Sequence, residues 1–353
     1  MRVITEETFV REYRHGNRRK LLFVALCSSV AAAMFFVSLF FGPSGIAFSE
    51  CIDALVNHKI TDNKLADMVV WDIRIPEACM ALITGVALAA GGAVMQTVLR
   101  NPLADPYIMG VSSGASLGVS IFLAFGLCII PGLSQNYSIV VNAFVVSLIP
   151  MGVIILASSK GKITSGKLIL IGIAVMYVFS ATTSLIKIIS DENTLSQIYE
   201  WGVGSLSSQS WADIRIAFVI TVVGVTLLLL QSRNLDGING GPKIAKSLGI
   251  NTKFVTLYSM AIVSLTTAGV VAFTGTIGFV GLVAPNIARL FVGSKSKYLI
   301  PSSAAFGAMF LIIANTIAKV VLPTGMPCGV IASLIGGPIF VIIILHQRKK
   351  SLL

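Results

Sequence analysis

The chain has 353 residues, of which 55% are apolar and only 12% are charged, whereas roughly a quarter of the residues in soluble domains are charged. Its 26 lysines and arginines exceed its 15 aspartates and glutamates, which gives a formal net charge of +11. Together with a mean hydropathy of +0.89, these values exclude an ordinary soluble enzyme and indicate an integral membrane protein. We therefore interpret the positive charge as loop charge and not as a nucleic-acid-binding surface.

Ten apolar segments follow one another along the chain, each near the ~20 residues that cross a bilayer as a helix. They predict an all-α membrane protein with spans near residues 21–41, 73–99, 107–127, 139–157, 168–190, 212–231, 254–274, 277–292, 299–320 and 328–345. Residues 1–20 and 346–353 are the predicted N-terminal and C-terminal tails, and residues 21–345 form one transmembrane domain.

Lysine and arginine are distributed unevenly between alternate loops. The two tails and the loops on their side of the membrane hold 20 of the 26 basic residues, and the loops on the other side hold six. Since basic loop residues mark the cytoplasmic side, both termini are predicted to be cytoplasmic. An error of one span would mix the two groups, so the partition also favours an even number of spans.

A glycine pattern recurs in the second and seventh spans. Gly85 and Gly91 are six residues apart, as are Gly269 and Gly275, and a proline-containing break follows each pair. The two copies begin five spans apart, so they run in opposite directions through the membrane. This pattern predicts an inverted repeat of spans 2–5 and 7–10, which is typical of transporters.

Two further glycine features concern helix packing. Gly110, Gly114 and Gly118 follow one another at intervals of four residues in the third span, and this spacing is typical of closely packed helices. Gly336, Gly337 and Pro338 interrupt the last span, which predicts a kink or a broken helix covered by protein.

The chain offers few residues for catalysis or metal binding. Its five cysteines form no Cys-x-x-Cys pair and its three histidines lie far apart, so neither a metal site nor a catalytic cluster is predicted. Gly161–Lys167 has the spacing of a phosphate-binding loop, but Leu168 stands where a magnesium-binding Ser or Thr is needed. We therefore expect no cofactor on this chain. Since the spans also hold few charges of the kind that couple transport to ions, a partner ATPase is the expected energy source.

Motifs from about residue 70 to residue 345 carry a resemblance to one protein family. They are Arg74-Ile75-Pro76, Gly85 to Gly92, Arg100-Asn101-Pro102-Leu103-Ala104-Asp105-Pro106, Gly110 to Ala115, Trp201 to Leu206, Gly278 to Pro285 and Gly336 to Phe340. In these motifs the chain resembles the permease family of ABC importers for iron-siderophores, haem and vitamin B12 (cobalamin).

The resemblance implies the membrane subunit of an ATP-driven importer of ferric siderophore-like iron chelates in the bacterial cell membrane, with cobalamin or haem as alternative substrates. It implies a second permease subunit, identical or homologous, and two cytoplasmic ABC ATPase subunits that carry ATP and magnesium. An extracellular or periplasmic binding protein would deliver the substrate. A stand-alone, gradient-driven secondary transporter remains the alternative, because it also fits an inverted repeat of helices.

The resemblance also assigns roles to individual residues. The segment that couples to the ATPase corresponds to Lys243, Ile244, Ala245, Lys246, Ser247, Leu248 and Gly249. Arg74 and Lys319 correspond to positions that dock the binding protein. Gly172, Met176, Ser180 and Thr183 lie near one face of the fifth span and are candidates for the translocation path.

Several positions depart from the pattern of that family, among them Lys295-Ser296-Lys297 in place of an Asp-His-Arg-like turn. Lys243 replaces an acidic residue, Lys319 replaces an arginine, and Glu77 stands where an arginine is common. Asn286 and Asn315 replace a histidine and an aspartate. Because an Arg-to-Lys change removes bidentate hydrogen bonding and Glu77 inverts a charge, we expect an altered docking surface.

Overall fold

A computed structural model describes residues 6–351 except 62, 160–163, 208 and 323, and the regular structure in these ranges is helical. The α-helices are α1 (Glu6–Ser38), α2 (Phe48–Val56), α3 (Lys64–Met68), α4 (Ile75–Leu99), α5 (Val111–Phe125), α6 (Gln135–Ser159), α7 (Ser165–Ile189), α8 (Glu192–Val203), α9 (Trp211–Leu230), α10 (Ser232–Asn239), α11 (Pro242–Ser247), α12 (Thr252–Thr274), α13 (Val280–Val292), α14 (Ser296–Val321) and α15 (Cys328–Ser351). A π-helical segment, Val69–Arg74, joins α3 to α4, and a 3-10 turn, Pro106–Met109, precedes α5.

The helices confirm the predicted multi-pass, all-α architecture. In the described part of the chain, eight helices are long and apolar enough to cross a membrane. The shorter apolar helices α5 and α13 occupy the third and eighth predicted spans. Of the predicted tails, residues 1–5 and 352–353 lie outside the described residues, as do residues 161–163 of the segment that resembles a phosphate-binding loop. Helix α1 begins at Glu6 and α15 ends at Ser351, so both end helices extend beyond the apolar segments.

Helix α4 lies at the centre of the domain. Of its 25 residues, 21 are buried, and most of these are small. Small residues let neighbouring backbones approach closely: Gly85 lies against Gly307 of α14, and Gly92 lies against Gly281 of α13. The small residues of α4 therefore bring its backbone into direct contact with the backbones of α13 and α14. Large side chains contribute little to these contacts.

Helix lengths support the inverted repeat. Helices α4, α5, α6 and α7 have 25, 15, 25 and 25 residues, and α12, α13, α14 and α15 have 23, 13, 26 and 24. In each half, a long helix is followed by a break and then by a half-length helix. Half-helices of this kind are typical of transporters in which substrate passes near the middle of the membrane.

The predicted glycine face of the third span is confirmed. Gly114 and Gly118 pack directly on the backbone of α6, at Ser147 and Asn142. Gly110 has φ +82° and caps the start of α5. For the last span, the sequence predicted a kink or a broken helix at Pro338. The helix is not broken, because α15 continues through Pro338.

The close contact of α4 with α13 predicts a large loss of stability on substitution of Gly92. In Gly92→Ala, the added Cβ would collide with the Gly281 carbonyl, which belongs to a backbone that cannot rotate away. Overpacking of this kind costs about 1–3 kcal/mol or more, so we expect a clear fall in the melting temperature of the purified protein in detergent.

Gly152→Ala is the matched control for this prediction. Gly152 is an exposed residue of α6 with no atom within 4 Å of an added Cβ. Alanine favours a helix over glycine by about 0.8–1 kcal/mol, so this variant should melt at the same or a higher temperature. Equal melting temperatures for Gly92→Ala and the parent protein would contradict the packing account.

Candidate transport path and coupling surface

Two breaks in the helices reach into the transmembrane domain. Pro106, in the break before α5, packs against Gly91 of α4, where an added Cβ would lie 3.3 Å from the proline ring. The break before α13 ends next to Gly281, whose backbone contacts Gly92. Gly91 precedes the end of α4 by eight residues, which is about 12 Å along a helix axis. The breaks therefore lie well inside the membrane-spanning part of the domain. Non-helical backbone is tolerated inside a membrane where protein covers it or where it lines a cavity.

Hydrogen bonds join these two breaks. The Tyr107 hydroxyl donates to the Ile277 carbonyl at 3.1 Å and accepts from the Ile277 amide at 3.2 Å. The Asn286 side-chain amide donates to the Pro102 carbonyl at 3.0 Å. These contacts fix α5 and α13 relative to each other, and they give Asn286, one of the departures from the family pattern, a structural role.

A groove with a volume of about 790 Å³ opens beside the breaks. It is bounded by α5, α7, α8, the α12–α13 break and α15. Its polar lining consists of hydroxyl groups and one amine, contributed by Tyr107, Ser112, Ser113, Ser116, Ser180, Lys187, Tyr199, Thr276 and Ser333. Both halves of the repeat therefore contribute to one groove, in which these polar groups stand among apolar side chains.

The four predicted path residues divide between the groove and the interior. Met176 and Ser180 line the groove. Gly172 packs against the Ile108 carbonyl, and Thr183 is buried with 5% of its surface exposed. The structure thus places two of the four on the groove, and a role in transport stays a prediction for all four.

The 3-10 turn before α5 is held by Asp105. Its carboxylate accepts hydrogen bonds from the amides of Tyr107 and Ile108, each at 3.0 Å. An Asp at this position caps the free amides of the turn. It thereby orients Tyr107 toward the second break.

The predicted coupling segment forms an exposed helix, α11, with its C-terminal turn. Ala245 is buried, whereas Ile244 and Leu248 are 50% and 63% exposed. Gly249 has φ +69°, and its amide donates to the Lys246 carbonyl at 3.1 Å, while the Ile250 amide donates to the Ala245 carbonyl at 2.9 Å. This pair of bonds is the Schellman motif, which requires a left-handed residue at the position of Gly249. Lys243, Lys246 and Ser247 are also exposed.

Arg100 connects this surface to α4. It has φ +51° at the C-terminal cap of α4, and its Nε donates to the Ile238 carbonyl of α10 at 2.9 Å. Two residues separate the end of α10 from the start of α11. A short connection therefore links α11 to α4, in which 21 of 25 residues are buried.

Both predicted docking residues are buried in this structure. Arg74 is 2% exposed, and its guanidinium donates to the Leu39 carbonyl at 2.8 Å, to Cys51 Sγ at 2.9 Å and to Ser44 Oγ at 3.1 Å. These contacts hold the loop after α1 against α2 and the start of α4. Docking through Arg74 stays a prediction, and it requires a conformation in which this side chain reaches the surface.

Lys319 forms a buried ion pair with Glu77. Lys319 Nζ lies 3.0 Å from Glu77 Oε2, and the two side chains are 6% and 12% exposed. The pair joins the start of α4 to the end of α14. Glu77 and Lys319 each depart from the family pattern, and the structure shows that they pair with each other. The sequence analysis did not predict this pair. Asn315, on the same helix as Lys319, is 2% exposed and its amide nitrogen has no hydrogen-bond partner among the described residues.

The fold, in which half-helices from two inverted repeats border one groove, is that of a multi-pass membrane permease. The model of the FecCD transport family matches residues 30–346. The chain therefore belongs to the FecCD transport family, which confirms the resemblance found in the sequence.

Relatives and a solved structure agree with this assignment. The hemin transport system permease protein of Yersinia pestis is 37% identical over 80% of this chain and 84% of its own length. The iron(3+)-hydroxamate import system permease protein of Bacillus subtilis (strain 168) is 34% identical over 93% of this chain and 84% of its own length. A transporter classed as a metal-chelate type ABC transporter, solved in an inward-facing conformation, matches with a TM-score of 0.80 and 26% identity over 92% of this chain and 98% of its own. The chain is thus a multi-pass cell-membrane permease of an ABC-type importer for iron chelates, haem or cobalamin.

Proposed function

We propose that this permease moves ferric siderophore-type iron chelates into the cell, driven by ATP hydrolysis on two separate ATPase subunits. A second permease subunit would complete the path, and an external binding protein would deliver the chelate. The chain itself would hold no ATP, magnesium or other cofactor.

The lining of the groove is the observation that supports an intact chelate as the substrate. The polar groups of the groove are serine, threonine and tyrosine hydroxyls and one lysine amine, and its lining among the described residues holds no His, Cys or carboxylate side chain. Tyrosine can bind ferric iron, but the Tyr107 hydroxyl is held by Ile277, and Tyr199 alone does not form a site for a bare iron ion. Hydroxyl groups instead suit the oxygen-rich surface of a chelate. The volume of about 790 Å³ in one subunit falls in the range of cavities that hold drug-sized molecules.

The exposed α11 segment supports the proposed ATPase partner. Ile244 and Leu248 present apolar surface between the exposed lysines Lys243 and Lys246. By the charge distribution of the loops, this segment lies on the cytoplasmic side. A small apolar and basic projection, connected to α4 through Arg100, is suited to carry a movement of the ATPase into the membrane.

Reconstitution with the candidate ATPase and binding protein tests this function. We would measure ATP-dependent uptake of ferric siderophore, haem and cobalamin into proteoliposomes. We expect uptake of the ferric siderophore only when all three components and ATP are present. Uptake of haem or cobalamin instead would correct the substrate. Uptake by this chain alone, driven by an ion gradient, would replace the importer with a stand-alone transporter.

A further inference from the structure

The groove contains one charged side chain among its lining residues, Lys187. This residue lies in the last turn of α7 and is half-buried. Its Nζ lies 4.1 Å from the ring centroid of Tyr199, which also lines the groove. A cation held over an aromatic face is stabilised without being neutralised, so the positive charge stays available to a passing ligand.

Three carboxylates follow α7 in the sequence, those of Asp191, Glu192 and Glu200, and none of them lines the groove. Asp191 caps α8 by accepting the amides of Asn193 and Thr194, and hydrogen bonding to Thr194 lowers its pKa. Glu200 lines a neighbouring cavity of about 520 Å³. Among the described residues, carboxylates pair with a basic side chain in His58–Asp67 and in Lys319–Glu77, and Lys187 belongs to neither pair.

The position of Lys187 lets its charge act along the groove. Met176, Ser180 and Lys187 follow one another on α7 at intervals of four and seven residues and all line the groove, as residues on one face of a helix do. Seven residues correspond to about 10 Å along the axis, which is comparable to the ~10 Å Debye length at moderate ionic strength.

We propose that Lys187 makes the outer part of the groove selective for anions, and that the substrate is an iron chelate with net negative charge. Ferric complexes of catecholates or carboxylates belong to this class, whereas ferric trishydroxamates are neutral. The inference rests on the proposed function only in taking the groove as the substrate path. The hydroxyls of Tyr107, Ser113 and Thr276 donate to backbone carbonyls. The other groove hydroxyls, those of Ser112, Ser116, Ser180, Tyr199 and Ser333, are the donors for the oxygen atoms of such a chelate, and Lys187 supplies the complementary charge.

Thiol labelling measures this charge without transport. Ser180→Cys is introduced into a chain whose five native cysteines are replaced, and the complex in proteoliposomes reacts at low salt with a sulfonate-bearing or an ammonium-bearing thiosulfonate reagent. A unit charge about 10 Å away changes the local concentration of a monovalent reagent about twofold in water. The ratio of anionic to cationic reaction rates should therefore fall about fourfold in Lys187→Gln and remain high in Lys187→Arg.

Arg215→Gln is the matched control for labelling. Arg215 is an exposed cation on the same side of the membrane by the loop charges, and it lies outside the groove. Its removal should leave the rate ratio unchanged. A ratio that does not respond to Lys187→Gln would overturn the electrostatic role of Lys187.

Uptake then tests the substrate class. The wild-type importer should take up a ferric tricatecholate in preference to a neutral ferric trishydroxamate, and Lys187→Gln should slow uptake of the former more than that of the latter. The opposite preference in the wild type would overturn the inference. Labelling needs neither ATP nor substrate, so it tests Lys187 independently of transport. If the labelling ratio responds to Lys187→Gln as expected but the wild-type complex shows no ATP-dependent uptake of any chelate, the proposed function is contradicted and the charge of the groove is not.

Discussion

Gly249→Val is expected to abolish ATP-driven uptake while the protein still folds and inserts. Gly249 has φ +69° and completes the Schellman motif at the end of α11. An L-residue in this left-handed conformation costs about 1–2 kcal/mol, and a β-branched residue fits it worst. The turn would therefore rearrange and move Leu248 and Ile250. That cost is small beside the about 5–15 kcal/mol of a typical domain, so the transmembrane helices should remain intact.

Uptake and ATPase association in proteoliposomes check this prediction, and Gly126→Val is the matched control. Gly126 follows α5 with φ +67° and ψ +10°, is exposed, and has no atom within 4 Å of an added Cβ, as is true of Gly249. A valine there meets a similar left-handed backbone strain outside the predicted coupling segment. We expect Gly126→Val to retain uptake, and Gly249→Asn to retain part of it because Asn tolerates this conformation. Full ATP-driven uptake by Gly249→Val would contradict the coupling role.

The sequence was sufficient to predict the spans because the bilayer imposes a length on apolar segments. All ten predicted segments correspond to helices, including the half-length α5 and α13. It was not sufficient to predict that the Pro106 break turns back into the domain. The position of this break depends on the contact between Pro106 and Gly91 of α4. The sequence of a loop does not show which residue of another helix it will contact.

The candidate path was only half predictable for a related reason. Helix α7 is apolar around most of its circumference, so its sequence does not mark the face that borders the groove. Met176 and Ser180 border it, whereas Gly172 instead allows a close approach to Ile108. Lys187 lies in the last turn of α7, where a lysine usually extends to the membrane interface, so its sequence position did not mark it as part of the groove.

The Glu77–Lys319 pair shows where a stronger inference was possible. In the family pattern, Lys319 corresponds to a docking position and Glu77 stands where an arginine is common. Charged residues within spans commonly pair with one another, and the two carry opposite charges. Considered together, they predict the contact between α4 and α14 that the structure contains.

Lys319→Met is expected to destabilise the protein strongly, because it leaves the Glu77 carboxylate buried without its partner. The two charged atoms lie 3.0 Å apart and both side chains are nearly inaccessible. Breaking a buried pair by removing one partner costs about 3–5 kcal/mol, whereas replacing both partners by apolar residues is often neutral. The double variant Glu77→Met/Lys319→Met should therefore recover most of the stability, as measured by the melting temperature of the purified protein.

Asp67→Asn provides the comparison, because His58 and Asp67 form a hydrogen-bonded pair of similar length, 2.8 Å, that is more exposed, at 35% and 17%. A pair that water reaches contributes about 0–1 kcal/mol, so this variant should melt close to the parent protein. An equal loss of stability in both single variants, or no recovery in the double variant, would contradict the buried-pair account. The stable double variant also separates structure from docking: if Lys319 contacts the binding protein, affinity for that protein should fall even though the melting temperature has recovered. Unchanged affinity would leave Lys319 with the structural role alone.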